Sequence, residues 1–84
     1  MKNEYDYIEV GTVYSFTRTI SEEHVKTFAE LSGDFNPLHV DKKFGSATTF
    51  GGNIVHGMLI ASLFSTLMGM YCPGEKCLYL SQNI

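Results

Sequence analysis

A chain of 84 residues fits one small domain at most. Its apolar content of 44%, with 13% aromatic residues, is enough for a core and ordinary for a globular protein. The formal net charge is −3 and no run of Lys or Arg occurs, which argues against a nucleic-acid groove and an anionic membrane patch.

A domain this small buries only roughly 60–65% of its unfolded surface. Stability then usually draws on disulfides, a metal or a partner chain. The N-terminal "MKNEYDYIEV" is polar and acidic, unlike a signal peptide. Downstream, "TVYSFTRTI", Thr12 to Ile20, alternates and is rich in β-branched and aromatic residues, which predicts a strand.

Ser21 follows as an N-cap, with Glu22 and Glu23 in the first turn, where the helix dipole favours negative charge. Val25, Phe28 and Ala29 stand at i, i+3 and i+4, one apolar stripe on a short amphipathic helix. Gly33 suits the left-handed position that closes it.

The next ten residues, "SGDFNPLHVD", hold Asp34, Asn36, Pro37, His39 and Asp41. Pro37 biases Asn36 away from helical dihedrals, so "DFNP" reads as a turn. Asp, Asn and Pro are turn formers that need no chemistry to be there. Asp34 and His39 are not helix neighbours, yet a tight turn can aim both at one point. A carboxylate and a neutral imidazole sharing a water would orient it and take its proton.

"DKKFGSATTFGGN" is a polar, glycine-bearing loop with a short helical turn expected around Asp41 to Phe44. "IVHGMLIASLFSTLMGMYC", Ile54 to Cys72, is apolar nearly all round, with Ala61, Ser62, Ser65 and Gly69 interspersed. Such a helix is usually the buried centre of a domain. From Met58 to Tyr71 it is too short and too interrupted by Ser and Thr to span a bilayer.

Gly57 opens this helix, where N–H groups lack helical partners. A glycine there lets a carbonyl oxygen approach, and the dipole favours negative charge on it; the plainer reading is a loop-to-helix junction. His56 reads as a structural histidine, and Ser62 and Ser65 as bonding back to the helix backbone. A metal site from His39, Asp41 and His56 matches no common ligand spacing.

Pro73 and Gly74 stop the helix, and Cys72 and Cys77 flank "PGEK". They read as two reduced thiols beside a turn in a cytoplasmic protein, with a hairpin disulfide as the alternative. "CLYLSQNI" reads as a closing strand. There is no internal repeat or linker, and two or three strands are too few to cover the apolar helix.

Taken in order, these pieces resemble the MaoC-like family of (R)-specific enoyl-CoA hydratases. "SGDFNPLHVD" is similar to the hydratase 2 motif, "GGNIVHGMLIASLFSTLMG" to that family's central helix, and "PGEKCLYLSQNI" to the strand after it. The resemblance covers almost the whole chain.

The resemblance implies an α+β hotdog fold, a central hydrophobic helix wrapped by a curved antiparallel sheet. Residues 1–84 would be a single such domain, incomplete at its C-terminus because family members have further strands. It implies Asp34 and His39 as the catalytic pair that activates water. Asn36 would support the loop, Ser65 would orient the site, and the Gly57 N–H would bind the thioester oxygen.

The implied reaction is reversible hydration of trans-2-enoyl-CoA to (R)-3-hydroxyacyl-CoA by a homodimer or larger assembly, with neither metal nor organic cofactor. Close to it stands a dehydratase acting on a 3-hydroxyacyl carrier protein. Further off stands a non-catalytic module that binds acyl thioesters or serves in assembly.

Overall fold

The computed structural model of the chain describes residues 8–75 and 77–83. The acidic N-terminal segment up to Tyr7, Lys76 of the "PGEK" turn and the last residue of the expected closing strand lie outside the described residues. Two compact units emerge, one of Arg18–Ile60 and one of residues up to Thr17 with those from Ala61 onward.

The first unit holds three helices, α1 (Glu22–Ser32), α2 (Pro37–Val40) and α3 (Lys42–Ser46), and the first turn of α4 (Gly57–Thr66). α1 forms as its sequence predicts. Ser21 is the N-cap, its hydroxyl accepting from the His24 N–H while the His24 ring takes the Ser21 N–H in return. That reciprocal cap satisfies two backbone donors otherwise left open. At the other end Gly33 lies at φ 79°, the left-handed conformation that a side chain disfavours, and its N–H bonds to Ala29. Val25 and Ala29 of the apolar stripe are buried.

"DFNP" is a turn and also launches a helix. The Asn36 side chain caps α2 by accepting from the Leu38 N–H at 3.0 Å, and Pro37 occupies the first helical position, where no N–H is needed. Asp41 then caps α3 by accepting from Phe44 N–H at 3.1 Å. The helical turn expected around Asp41 to Phe44 is therefore present.

In the second unit α4 runs on to Thr66 and passes into a π-helical turn, Leu67–Tyr71. Phe16 stacks on Tyr71 with ring centroids 5.2 Å apart, and the Gln82 carboxamide donates to Ala61 at 3.5 Å. Cys72 and Cys77 are free thiols, so the hairpin disulfide is not formed.

Two expectations need correction. Thr12–Ile20 and the segment from Cys77 form no strand among the described residues. A strand exists only through ladder bonds to a neighbour, and these segments form no ladder among the described residues; Val13, Leu78 and Leu80 are largely in solvent. Nor is α4 a buried centre: Ala61 is its one buried residue among those described, while Met58, Ile60 and Phe64 are at least half exposed. All-round hydrophobicity makes a helix able to be covered on every side but does not supply the cover. No helix among the described residues is long and apolar enough to cross a membrane.

Candidate active site

The sequence from Ser32 to Asp41 folds on its own short-range hydrogen bonds. Ser32 accepts from the Asp34 N–H at 3.2 Å, and the Asp34 carboxylate accepts from the Asn36 N–H at 3.1 Å. Asn36 next caps α2. These Asx-type contacts fix the loop locally and leave one Asp34 carboxylate oxygen without a bond among the described residues.

His39 stands on α2 and is half-buried. Its Nδ1 lies 2.8 Å from the carbonyl oxygen of Ile54. A carbonyl only accepts, so Nδ1 carries the hydrogen, and a lone pair on this ring can only be that of Nε2. One polar contact thus anchors one edge of the ring and favours one tautomer. His39 also forms part of the wall of a cleft of about 810 Å³ in the Arg18–Ile60 unit, beside Phe35, Val40, Ile54 and Val55.

His56 is buried, at 2% exposure, the residue just before α4. Its Nε2 lies 3.0 Å from the Asp34 carbonyl oxygen, so by the same reasoning Nε2 carries the hydrogen. Its Nδ1 is buried with no hydrogen-bond partner. The His56 ring stacks on His39 at 3.9 Å between centroids and meets Phe28 of α1 at 4.9 Å on a tilt of 60°.

Asp34, His39 and His56 each bring one ligand-type atom within 4.8 Å of the others. Of the sets weighed from sequence, the pair Asp34 and His39 is brought together. The set His39, Asp41 and His56 is not, because the Asp41 carboxylate caps α3. A carboxylate and two imidazoles are a donor set that can hold a divalent cation, as well as one that can move a proton.

Gly57 N–H, the first of α4, has no acceptor among the described residues, and the first helical bonds run from Leu59 and Ile60 to the His56 carbonyl. A Cβ placed on Gly57 would meet nothing within 4 Å, so the side-chain side of this residue is open. Ser65 lies in the last full turn of α4, in the other compact unit.

Sequence reading missed Asn53. Its side-chain nitrogen donates to Pro37 at 3.3 Å, Leu38 at 3.0 Å and Asp41 at 2.8 Å, gathering the carbonyls at the end of α2. Ile54 N–H adds a bond to Leu38. The strap from Asn53 to His56 therefore holds α2 from behind and carries the groups that orient His39 and Asp34. An Asn before an apolar run gives no local sign of a clamp reaching 12 to 16 residues back.

A carboxylate and an imidazole with one nitrogen committed to a carbonyl lie in one cluster, in the unit that holds the first turn of α4. Residues 7–74 match the family described as the MaoC like domain, and the chain belongs to that family.

An (R)-specific enoyl-CoA hydratase from Aeromonas caviae is 47% identical over 77 residues, 92% of this chain and 58% of the relative. A mitochondrial 3-hydroxyacyl-[acyl-carrier-protein] dehydratase from Arabidopsis thaliana is 39% identical over 77 residues, 92% of this chain and 45% of the relative. The solved structure of an R-hydratase from Pseudomonas aeruginosa, unliganded, superposes with TM-score 0.88 at 38% identity, over 94% of this chain and 51% of that one. The fold by likeness is therefore that of the R-hydratases, the hotdog, of which the described residues form the helices and not the strands, and the chain spans about half the length of the relatives it matches.

Proposed function

We propose that the protein is a hydro-lyase, an (R)-specific enoyl-CoA hydratase that adds water reversibly across a trans-2-enoyl thioester. The observation that carries this reading is His39: its Nδ1–H is committed to Ile54, which leaves Nε2 for a base's role, and a ring nitrogen of His39 shares one small cluster with a carboxylate oxygen of Asp34.

In this reading one water sits between the free Asp34 oxygen and His39 Nε2. The pair takes its proton as the water oxygen bonds to C3. The electrons of the C2–C3 double bond move toward the thioester oxygen, and the pair then gives a proton to C2, so that one water has been added and the thioester is restored. The Gly57 N–H, at the positive end of α4, receives that oxygen as its charge grows. Asn36 holds the loop through its cap on α2, Ser65 orients the site, and no cofactor takes part. We read the assembly as a homodimer or larger, and its setting as the cytoplasm from the two thiols beside a turn.

The Arabidopsis relative supports a second reading, the same chemistry run as dehydration on a carrier protein. The test is loss of enoyl absorbance when the purified protein meets crotonyl-CoA or crotonyl carrier protein, with chiral analysis of the product. Formation of the (R)-3-hydroxybutyryl thioester is expected, faster on CoA. Faster turnover on the carrier would favour the second reading. Binding without turnover of either would leave only an acyl-thioester binding module.

A further inference from the structure

We propose that His56 is a positioning residue for the Asp34–His39 pair, acting through one hydrogen bond and one ring face. The proposal rests on the hydratase reading for its consequence in turnover, and on geometry for the rest.

His56 touches both members of the pair at once. Its Nε2–H reaches the backbone carbonyl of Asp34, 22 residues earlier in the chain. Its ring face lies against His39 at 3.9 Å, with planes 29° apart. Phe28 closes the other side at 4.9 Å. The three rings form a stack from α1 to α2, so the His39 imidazole has a wall on one face and the Ile54 carbonyl on one edge. Two of its rotational freedoms are thus removed by groups that sit close together in sequence, Ile54 and His56.

A histidine kept only for packing would be a poor choice here. At 2% exposure it leaves Nδ1 buried and without a partner, an arrangement that destabilises the fold relative to an apolar side chain of similar size. What an apolar replacement cannot supply is the N–H to Asp34. Without that bond the Asp34 carbonyl is released, and with it the carboxylate that the same residue offers to water. A displacement of about 1 Å in a reacting group can lower a rate on the order of 100-fold.

The test uses His56→Gln, which keeps an N–H donor at comparable reach, and His56→Leu, which keeps bulk and loses the donor. Turnover and nitrogen-15 NMR of the ring nitrogens are measured on both variants and on the parent. In the parent, His39 is expected as the Nδ1–H tautomer and His56 as the Nε2–H tautomer.

His56→Leu is expected to lower kcat about 10- to 100-fold with KM within about twofold, and to mix the His39 tautomers. His56→Gln is expected to recover most of both. Unchanged kcat in His56→Leu, or a Gln variant no better than the Leu variant, would overturn the proposal. So would a parent spectrum with His56 as the Nδ1–H tautomer, a measurement that stands even if the His56→Leu variant does not fold. A parent without hydratase turnover that still shows His39 tautomers disturbed by His56→Leu would defeat the hydratase reading and leave the positioning intact.

Discussion

Gly45 and Asn53 are in such close approach that a Cβ on Gly45 would stand 2.5 Å from the Asn53 side-chain nitrogen and 2.7 Å from its backbone nitrogen. The buried glycine on α3 is therefore the seat of the clamp that gathers Pro37, Leu38 and Asp41. Gly45→Ala must push the strap away from α2, since backbone atoms on the strap cannot turn aside as a long side chain can. The expected loss is about 1–3 kcal/mol, as for other overpacked sites, read from the midpoint of urea unfolding. An unchanged midpoint would mean that strap and α3 separate freely.

Asn53→Ala tests the same clamp from the other side. Three carbonyl acceptors lose their donor, but the site is exposed and water can replace part of it. A loss of about 1 kcal/mol is expected, with a larger fall in turnover than in stability because α2 carries His39. A variant that loses stability and keeps full turnover would separate the clamp from the site.

Asp34→Asn and His39→Ala are each expected to lower hydration about 100-fold or more, the usual contribution of a positioned acid or base. Enoyl absorbance gives the rate and circular dichroism checks folding. The Asn variant is the cleaner one. Its side-chain oxygen still accepts the Asn36 N–H, so the turn survives while the carboxylate is gone. Near-parent turnover in either variant would remove that residue from the chemistry.

Gly57→Pro removes a single N–H at a position where proline is well tolerated. It is the first residue of α4, and its N–H has no acceptor among the described residues. Helix content is expected to hold while kcat falls about 100- to 1,000-fold, the range for loss of one oxyanion donor. Gly57→Ala keeps the N–H and meets nothing within 4 Å in the chain. A loss in the Ala variant would then report a clash with substrate, and normal turnover in the Pro variant would end the oxyanion role.

The parts legible in the sequence are those whose cause is local. Ser21, Glu22, Glu23 and Gly33 mark the ends of α1 because capping acts within four residues, and the structure has those ends. The α2 turn was half legible. Asn36–Pro37 signals a turn and, equally, an N-cap followed by its favoured first residue, and four residues are too few to show a period.

What was not legible depends on distant partners. The reach of His56 to Asp34 spans 22 residues, and that of Asn53 to Pro37 spans 16. A histidine before an apolar helix looks structural until its partner is seen to be the loop that bears Asp34. Thr12–Ile20 has strand composition without a ladder among the described residues, since pairing belongs to the neighbour as much as to the segment. At Asp34 and His39 spacing alone leaves turn and site both open, and the resemblance to the family motif is what points to a site.

Dialysis against a chelator is expected to leave hydration unchanged. Asp34, His39 and His56 lie close enough to ligate a cation, yet two of their polar contacts already serve the protein: His39 Nδ1 to Ile54 and His56 Nε2 to Asp34. The proton-transfer reading uses the remaining His39 nitrogen as a base, which a bound cation would occupy. Activity lost on chelation and restored by one divalent metal would convert the cluster into a metal centre and displace the water-activating pair.

The apolar side chains on α4 and the turn after it carry the last expectation. Met58, Ile60 and Phe64 are 64%, 50% and 51% exposed, and Met68, Met70 and Tyr71 continue the same character at 42%, 76% and 48%. Burying such a side chain fully is worth roughly 1.5–3 kcal/mol. Left about half in water, six of them together forgo about 5–10 kcal/mol, as much as the whole stability of a small domain. The core among the described residues is slight by comparison: Val25, Ala29 and Ala61. A second chain laid on these side chains recovers much of the difference, whereas exposure of this extent in a monomer is hard to reconcile with cooperative folding. Sedimentation at micromolar concentration is therefore expected to give a dimer or larger species. Dilution should lower the melting temperature, because association and folding are then linked. A monomer whose cooperative unfolding does not depend on concentration would show that these faces need no cover from a second copy.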